Sequence, residues 1–315
     1  MRSFGEDFRV LVFIGIIAAV YVLAAGIIIR SLIRKLRQDV RPAAPVKIWF
    51  RRTILALAGI GIVCFAYGYL VEPYWLSVTH IKIGNVKLKK GTQPVRLVHI
   101  SDLHCDPKPR LEAQLVRAIA DARPDLIVFT GDCINAVAGL PVFRDCLTRI
   151  AKIAPTFVVK GNWDTRSWVG IDLFQGTGAK ELDGSAVMLE VRGLPIWVSG
   201  VAVDNEEALK QALGSIPPEA FKLFLYHYPD LIQEVAALNV DLYCAGHTHG
   251  GQIALPFYGA LMTLSKYGKK YESGLYREKN TWLYVNRGIG MEGGRAPRVR
   301  FCARPELTVI EISPP

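Results

Sequence analysis

Charged residues are missing from two long stretches of this sequence. Residues 10–29 and 53–71 contain no Asp, Glu, Lys or Arg. As helices rising about 1.5 Å per residue, each would extend roughly 30 Å, the thickness of the hydrocarbon core of a bilayer. Neither stretch has a polar face, which argues against a buried helical hairpin. The first also lacks a convincing charged start or cleavage site of a signal peptide. We therefore predict two transmembrane helices, at 10–29 and 53–71.

Cysteine is sparse and has no metal-binding pattern. The six cysteines form no CxxC pair and no zinc-finger spacing, which argues against the common structural zinc modules. We interpret them as small apolar filler. Free thiols are also typical of a reducing compartment.

A basic excess is missing from the part of the chain that follows the apolar stretches. The net charge is +10, and residues 1–52 hold +7 of it, with ten Lys and Arg against three Asp and Glu. A nucleic-acid-binding domain would carry a basic face of its own. We therefore expect no nucleic-acid partner.

Most of these cations lie in the loop between the two stretches, residues 30–52. Short loops rich in Lys and Arg stay in the cytoplasm, so both termini and the following domain are expected on the opposite side. The free thiols weigh against this orientation, and so do four lysines just beyond the second stretch: Lys82, Lys87, Lys89 and Lys90.

Strand and helix patterns alternate in the rest of the chain. Apolar runs at 96–100, 125–130 and 242–245 predict strands, and the apolar spacing across 111–122 predicts a helix. Further helices are expected at 205–213 and 229–238, and residues 72–95 are interpreted as a short lead-in to the domain. This alternation predicts an α/β domain. Binding sites in open α/β sheets form at the carboxyl ends of the strands.

Histidine is scarce, yet four of the six histidines lie in five short motifs, each of which follows an apolar run. The motifs are Asp102-Leu103-His104, Gly131-Asp132, Gly161-Asn162, His227 and Gly246-His247-Thr248-His249. Asp, Asn and His suit two divalent cations, Mn²⁺ foremost, with Fe²⁺ or Zn²⁺ as alternatives. A pair of such ions serves in-line displacement at phosphorus.

This ordered set resembles the calcineurin-like metallophosphoesterase superfamily, with its DxH, GD, GNH(D/E), H and GHxH blocks. The stretch GHTHGGQ at 246–252 and the lead-in at 75–80 resemble its membrane-anchored bacterial branch. The resemblance covers roughly residues 76–312 and implies a four-layer αββα sandwich. The two apolar stretches, together with the extent of the resemblance, lead us to expect a membrane anchor at 1–75 and a catalytic domain at 76–315. The resemblance also implies a bacterial inner-membrane protein, and the basic loop at 30–52 predicts that the domain lies on the extracytoplasmic side.

The resemblance also implies how the metals are held. Metal one would take Asp102, His104, Asp132 and His249, and metal two would take Asp132, Asn162, His227 and His247. A hydroxide between the ions would be the nucleophile. Four residues are expected to act in catalysis: Asp132, Asn162, Asp164 and His247.

The third block departs from the superfamily pattern, because Trp163 stands where a histidine commonly protonates the leaving group. Loss of this acid favours a leaving group that is stable as an anion, such as a phosphate. Asp164 or water could supply a proton instead. Trp163 is expected either to stack on the substrate or to pack in the core.

Arginines near the C-terminus are candidate phosphate ligands, since guanidinium groups bind phosphate bidentately. Arg287, in the sequence NRGIG, is the leading candidate for substrate binding, together with Arg295. Arg298 and Arg300 extend the basic run. A solvated basic face is the alternative interpretation.

These features predict a membrane-anchored, dinuclear metal-dependent phosphoesterase with a phosphorylated, lipid-linked substrate. The leading specific candidate is hydrolysis of UDP-2,3-diacylglucosamine to UMP and a lipid monophosphate, a step of lipid A synthesis. The expected orientation argues against it, because that substrate is made in the cytoplasm. One alternative is a cell-envelope phosphatase or phosphodiesterase of broader specificity. Another is a catalytically inactive metal-binding module.

Overall fold

The computed structural model describes residues 4–39, 44–88, 91, 93–292 and 298–314. Its α-helices are α1 (Phe4–Leu36), α2 (Pro45–Leu70), α3 (Glu112–Ala122), α4 (Leu140–Ala151), α5 (Asn162–Ser167), α6 (Leu209–Gly214) and α7 (Ile232–Ala237). Its strands are β1 (Ser77–Gly84), β2 (Val95–Ile100), β3 (Leu126–Phe129), β4 (Thr156–Val158), β5 (Lys180–Glu181), β6 (Ser185–Val191), β7 (Leu194–Gly200), β8 (Phe221–Leu225), β9 (Leu242–Ala245), β10 (Ala254–Leu255), β11 (Gly259–Ala260), β12 (Gly274–Glu278), β13 (Thr281–Val285) and β14 (Glu306–Ser313).

The two uncharged stretches lie in α1 and α2, and both helices extend beyond the predicted bounds except at the end of α2. Pro45 starts α2, where its fixed φ suits the first helical turn. The helices pack on each other through Ala24, Ile54 and Ala58, and most of their other side chains are exposed. A buried hairpin is therefore excluded. Length and composition alone would let both helices cross a membrane, which is weak support for the predicted spans.

Twelve of these strands form two six-stranded sheets, and β10 and β11 pair with each other as a separate hairpin. The first has the order β1-β14-β2-β3-β4-β5 and the second the order β12-β13-β9-β8-β7-β6. In the first sheet β2, β3 and β4 run parallel, and in the second β8 and β9 do so. Parallel strands end at one edge, so the residues that follow these five strands are brought together there.

Alternation of side chains along the strands explains how the sheets are covered. Leu97 and Leu223 belong to the apolar cluster shared by the two sheets. Their neighbours Val98 and Phe224 face the other way, towards clusters that include residues of α3 and α4 for the first sheet and of α6 and α7 for the second. Each fully buried aliphatic or Phe side chain contributes about 1.5–3 kcal/mol. The α/β prediction is confirmed.

Several elements differ from the prediction. The lead-in at 72–95 contains strand β1, which pairs in parallel with β14 at the edge of the first sheet. Every second residue of β1 is exposed, because only one face of the strand is covered. The helices expected at 205–213 and 229–238 each begin as a short 3₁₀ turn, at Glu206 and Pro229 respectively. Helix α5 starts at Asn162, inside a metal motif, and the sequence patterns did not predict it.

Candidate metal centre

The residues of the five motifs follow directly after five parallel strands. Asp102 and His104 follow β2, Asp132 follows β3, and Asn162 follows β4. In the second sheet, His227 follows β8, and the loop with His247 and His249 follows β9. The structure therefore brings the motifs of both sheets to one rim.

The backbone of this rim is strained. Left-handed φ values are uncommon for residues other than glycine and persist only where the surroundings enforce them. Five of the motif residues adopt them: Asp102 (50°), His104 (40°), Asp132 (60°), His247 (69°) and His249 (50°). Hydrogen bonds between the loops hold this conformation, such as that from Asp102 N to Gly131 O at 2.9 Å. Strain of this kind is typical of functional sites.

One group of metal-ligand residue types consists of Asp102, His104 and His249. Their ligand atoms lie within 4.8 Å of one another, and all three residues are buried. His249 Nε2 is 3.3 Å from Asp102 Oδ1. These separations leave room for one cation between the three side chains.

A second group consists of Asp102, Asp132 and His227, also buried and within the same separation. His227 Nε2 is 3.3 Å from Asp132 Oδ2 and 3.9 Å from Asp102 Oδ1. Asp132 Oδ2 is in turn 3.5 Å from His104 Nε2 in the first group. Both carboxylates thus lie between the two groups.

Asn162 and His247 lie at the edge of the second group. Asn162 Oδ1 is 3.1 Å from His227 Nε2. The His247 ring, which is partly exposed, meets the His227 ring edge-on at a centroid distance of 5.1 Å. His247 Nε2 lies 3.4 Å from Leu264 O.

The chemistry of these residues fits divalent metal ions. Both ring nitrogens of His104 are buried without a hydrogen-bond partner among the described residues. Unsatisfied buried nitrogens are costly, and a cation would satisfy one of them. Burial lowers the pKa of His104 to about 4 and that of His247 to about 3. Both rings are therefore neutral at pH 7 and keep a free lone pair for a metal ion.

His227 has the opposite electrostatic environment. Burial lowers its pKa, but the carboxylates of Asp132 and Asp102 outweigh burial and raise it to about 9. A proton thus lies between two carboxylates, where a metal ion would replace it. His227 Nδ1 donates a hydrogen bond to Thr130 O (2.6 Å), which directs Nε2 towards the carboxylates.

Asp164 is engaged by backbone amides. Its carboxylate accepts hydrogen bonds from the backbone N–H groups of Asp132 (2.8 Å), Cys133 (2.9 Å) and Gly161 (2.8 Å). Burial, together with the charge of Asp132, raises its pKa to about 6. This engagement favours a positioning role over proton donation.

Trp163 lies beside the first group and is partly exposed. Its backbone N–H donates to Asp132 Oδ1 (2.9 Å), and its ring meets the His104 ring edge-on at 5.6 Å. It therefore stands at the border of the site rather than in the apolar core.

The two glycine-containing turns allow close approach of the loops. A Cβ at Gly246 would lie 1.9 Å from Ser101 Oγ and 2.3 Å from Asp102 Oδ2. A Cβ at Gly161 would lie 2.2 Å from Asp132 Oδ1. Only glycine fits where these loops cross the carboxylates.

The arginines near the C-terminus have different surroundings. Arg287 lies beside the metal motif loop, with its guanidinium 3.2 Å from Glu306 Oε1. Arg295 lies outside the described residues. Arg300 is fully buried, so the interpretation as part of a solvated basic face is wrong for this residue. Its guanidinium donates to backbone carbonyls, including Ala303 O (2.7 Å), and approaches His249 Nδ1 at 3.3 Å.

The sequence patterns missed Thr130 and Arg300 as supports of the site. Thr130 acts through its backbone carbonyl, which leaves no residue-type signal. Arg300 is indistinguishable in the sequence from the other arginines of the basic run.

Comparisons with known proteins agree with this geometry. The family model described as calcineurin-like phosphoesterase matches residues 95–251. The chain is similar to the uncharacterized metallophosphoesterase YkuE of Bacillus subtilis, at 32% identity over 271 residues, covering 79% of this chain and 89% of YkuE. It is 27% identical to phosphodiesterase YaeI of Escherichia coli, covering 79% and 92% of the two chains. It is 23% identical to the UDP-2,3-diacylglucosamine pyrophosphatase LpxG of Chlamydia trachomatis, covering 84% and 98%.

Proposed function

The chain belongs to the calcineurin-like phosphoesterase family, and on that basis we propose a membrane-anchored enzyme that cleaves phosphodiester or pyrophosphate bonds with two divalent metal ions. It is a metal-dependent phosphoesterase hydrolase, so the alternative of an inactive metal-binding module is set aside. We also propose the four-layer sandwich, the domain boundary between residues 75 and 76, the two membrane spans and the substrate.

The observation that carries the proposal is the pair of buried Asp and His groups that share Asp102. In the proposed assignment, His104 and His249 hold one ion and Asn162, His227 and His247 hold the other, with the carboxylates between them. Such ions would polarise a phosphoryl oxygen and activate water for in-line attack. Hydrogen bonds within the protein orient the metal-donor atoms. The bond from His227 Nδ1 to Thr130 O, for example, orients the His227 ring.

The surroundings of the third motif support a leaving group that needs no proton. Trp163 provides no acid, and both oxygens of Asp164 accept backbone hydrogen bonds. A phosphate leaving group is stable as an anion, whereas an alkoxide is not. This favours a phosphoanhydride or an activated diester over an alkyl monoester.

The two long apolar helices support a substrate held in a membrane. Glu6, near the start of α1, accepts a hydrogen bond from Thr263 N (3.1 Å), and Gly68, near the end of α2, accepts one from Arg300 N (2.9 Å). Such contacts fit a two-pass anchor in a bacterial inner membrane with the N-terminus and the domain on one side. The basic loop at 30–52 would then be cytoplasmic and the domain extracytoplasmic.

UDP-2,3-diacylglucosamine is the leading specific substrate. It contains a pyrophosphate bond and two acyl chains, and the similarity to LpxG extends over most of both chains. The alternative is a cell-envelope phosphodiesterase of broader substrate specificity. The similarity to phosphodiesterase YaeI and the proposed extracytoplasmic domain favour this alternative.

The test uses the full-length protein in detergent with Mn²⁺ and UDP-2,3-diacylglucosamine, with UMP release as the readout. Asp132→Asn should abolish release, while Asp145→Asn, the same change at an exposed position, should not. Release that depends on metal and on Asp132 would assign this substrate and would contradict the proposed extracytoplasmic domain, because this substrate is made in the cytoplasm. Turnover of bis-p-nitrophenyl phosphate without UMP release would support the broader phosphodiesterase. Absence of both activities would overturn the proposal.

A further inference from the structure

A hairpin near the metal centre exposes aromatic side chains in a strained turn. Strands β10 and β11 are joined by Pro256, Phe257 and Tyr258, and Tyr258 N donates to Leu255 O at 3.1 Å. Phe257 occupies the third turn position with φ 64°, where glycine or asparagine is preferred. Its ring is nevertheless fully exposed, so no packing within the described residues compensates for the strain.

The base of the hairpin lies against the end of α2. Ala254 N donates to Phe301 O at 2.8 Å, and the Phe301 ring meets the Tyr67 ring edge-on at 6.1 Å. The neighbouring Arg300 N donates to Gly68 O. The first strand of the hairpin is therefore fixed next to the last turn of α2.

The segment after the hairpin lies against the start of α1. Both the backbone N–H and the hydroxyl of Thr263 donate to Glu6 Oε1, at 3.1 and 2.9 Å, and Glu6 is buried. The hairpin thus stands between the two helix ends that face the domain.

The same segment reaches the metal motif loop. Leu264 O is 3.4 Å from His247 Nε2. Thr248 Oγ1 donates to Glu272 O at 2.6 Å. Residues 255–272, which we term the lip, therefore connect the helix ends to the rim of the candidate metal centre.

The exposed residues around the lip have the composition of a membrane–water interface. Lysines follow the hairpin, and Lys269 Nζ lies 3.6 Å from the centroid of the Tyr258 ring. Tyr and Trp are enriched at such interfaces, and Lys binds anionic lipid headgroups. Exposed aromatic side chains also surround the two helix ends: Phe8, Tyr69, Tyr74 and Trp75.

We propose that the lip inserts Phe257 and Tyr258 into the headgroup region of the leaflet at which α1 begins and α2 ends. The metal centre then takes phosphoester headgroups directly from that leaflet. The occupant of this surface is the lipid bilayer, because the two apolar helices that flank the lip would end in the same interface. This inference rests on the membrane anchoring proposed above and adds how a lipid substrate reaches the site.

The test compares a lipid substrate with a soluble one in nanodiscs of phosphatidylethanolamine and phosphatidylglycerol. The lipid substrate is a dioleoylglycerol p-nitrophenyl phosphodiester, which water cleaves to phosphatidic acid and p-nitrophenol. The soluble substrate is bis-p-nitrophenyl phosphate. We expect Phe257→Ser with Tyr258→Ser to lower the lipid rate by about fivefold or more and to leave the soluble rate within about twofold. Met188→Ser, at an exposed position on β6, should change neither rate.

Two outcomes of this assay would overturn the proposal that the lip inserts into the membrane. One is equal loss of both rates in the double variant, and the other is a wild type that cleaves only the soluble substrate. If the wild type cleaves neither substrate, the proposed enzymatic function is wrong. If it does not float with liposomes, the proposed membrane anchoring is wrong. Both results contradict the proposed function itself and are distinct from a failure of the lip.

A second measurement does not depend on activity. A nitroxide is attached through Phe257→Cys, or through Met188→Cys as control, in a background with Cys64→Ala and Cys302→Ser. The other cysteines are buried. We expect the label at 257 to be more accessible to oxygen than to a nickel chelate, and the label at 188 to show the reverse. Equal nickel accessibility at both positions would overturn the proposal.

Discussion

At the scale of single residues, the histidines in and beneath the candidate metal centre differ because of the charges that face them. His227 lies between two carboxylates and retains a proton, whereas His104 and His247 are neutral because burial dominates. His99 is a third case. It is fully buried under the site, and its Nε2 lies 2.9 Å from Thr130 Oγ1. His99 is therefore a core histidine with a hydrogen-bonding partner.

His99 gives the protein a stability that depends on pH. Burial lowers its pKa to about 3, from 6.5 in the unfolded chain. The unfolded state therefore binds a proton on this ring below pH 6.5, whereas the folded state binds it only below about pH 3. Stability is fully present above pH 6.5 and is lost as the pH falls, by about 1.4 kcal/mol per unit.

We predict that His99→Gln, which cannot titrate, removes this dependence. Between pH 7.5 and 5.0, the unfolding free energy of the metal-free wild type should fall by about 2 kcal/mol more than that of the variant. Urea titrations in detergent measure the difference. Parallel losses in both proteins would contradict the account of His99.

At the scale of elements, the site depends on how the loops after β3 and β4 are joined. Asp164, in α5, accepts hydrogen bonds from both loops and so connects them. The sequence predicted that Asp132 and Asn162 follow strands, and the structure agrees. It did not predict α5, because a six-residue helix that starts in a motif has too little apolar periodicity to be recognised.

We predict that Asp164→Asn weakens metal binding and lowers turnover of all substrates alike. An amide accepts fewer hydrogen bonds than a carboxylate, and each buried N–H left unpaired costs about 1–3 kcal/mol. Mn²⁺ titration is measured alongside kcat for diesters with nitrophenol and alkyl leaving groups. A selective loss for alkyl leaving groups, with unchanged Mn²⁺ affinity, would instead identify Asp164 as the general acid.

At the scale of the whole molecule, the apolar helices and the α/β domain share hydrogen bonds. The buried carboxylate of Glu72, just after α2, accepts hydrogen bonds from Cys302 N (3.0 Å) and Ala303 N (2.5 Å). Arg300, two residues before Cys302 in the chain, approaches His249 of the candidate metal centre. The sequence predicted a boundary near residue 75 from composition. Composition could not reveal that both sides of that boundary are joined through backbone amides.

We predict that Glu72→Ala destabilises the protein by about 1–3 kcal/mol, because two backbone amides lose their acceptor. Glu190→Ala, at an exposed position of β6, should have almost no effect. Thermal unfolding of both variants in the same detergent checks this. An unchanged unfolding temperature in Glu72→Ala would show that the hydrogen bonds between Glu72 and the domain do not contribute to the stability of the protein.

We propose that two ions are held by one set of residues with carboxylates between them. The most direct test of this proposal is the number of Mn²⁺ ions bound per chain, determined with turnover of bis-p-nitrophenyl phosphate, in the wild type and in Asp132→Asn. We predict two ions in the wild type, fewer in the variant, and a loss of turnover of about a hundredfold or more. Full turnover by the variant, or one ion in an active wild type, would contradict the two-metal site.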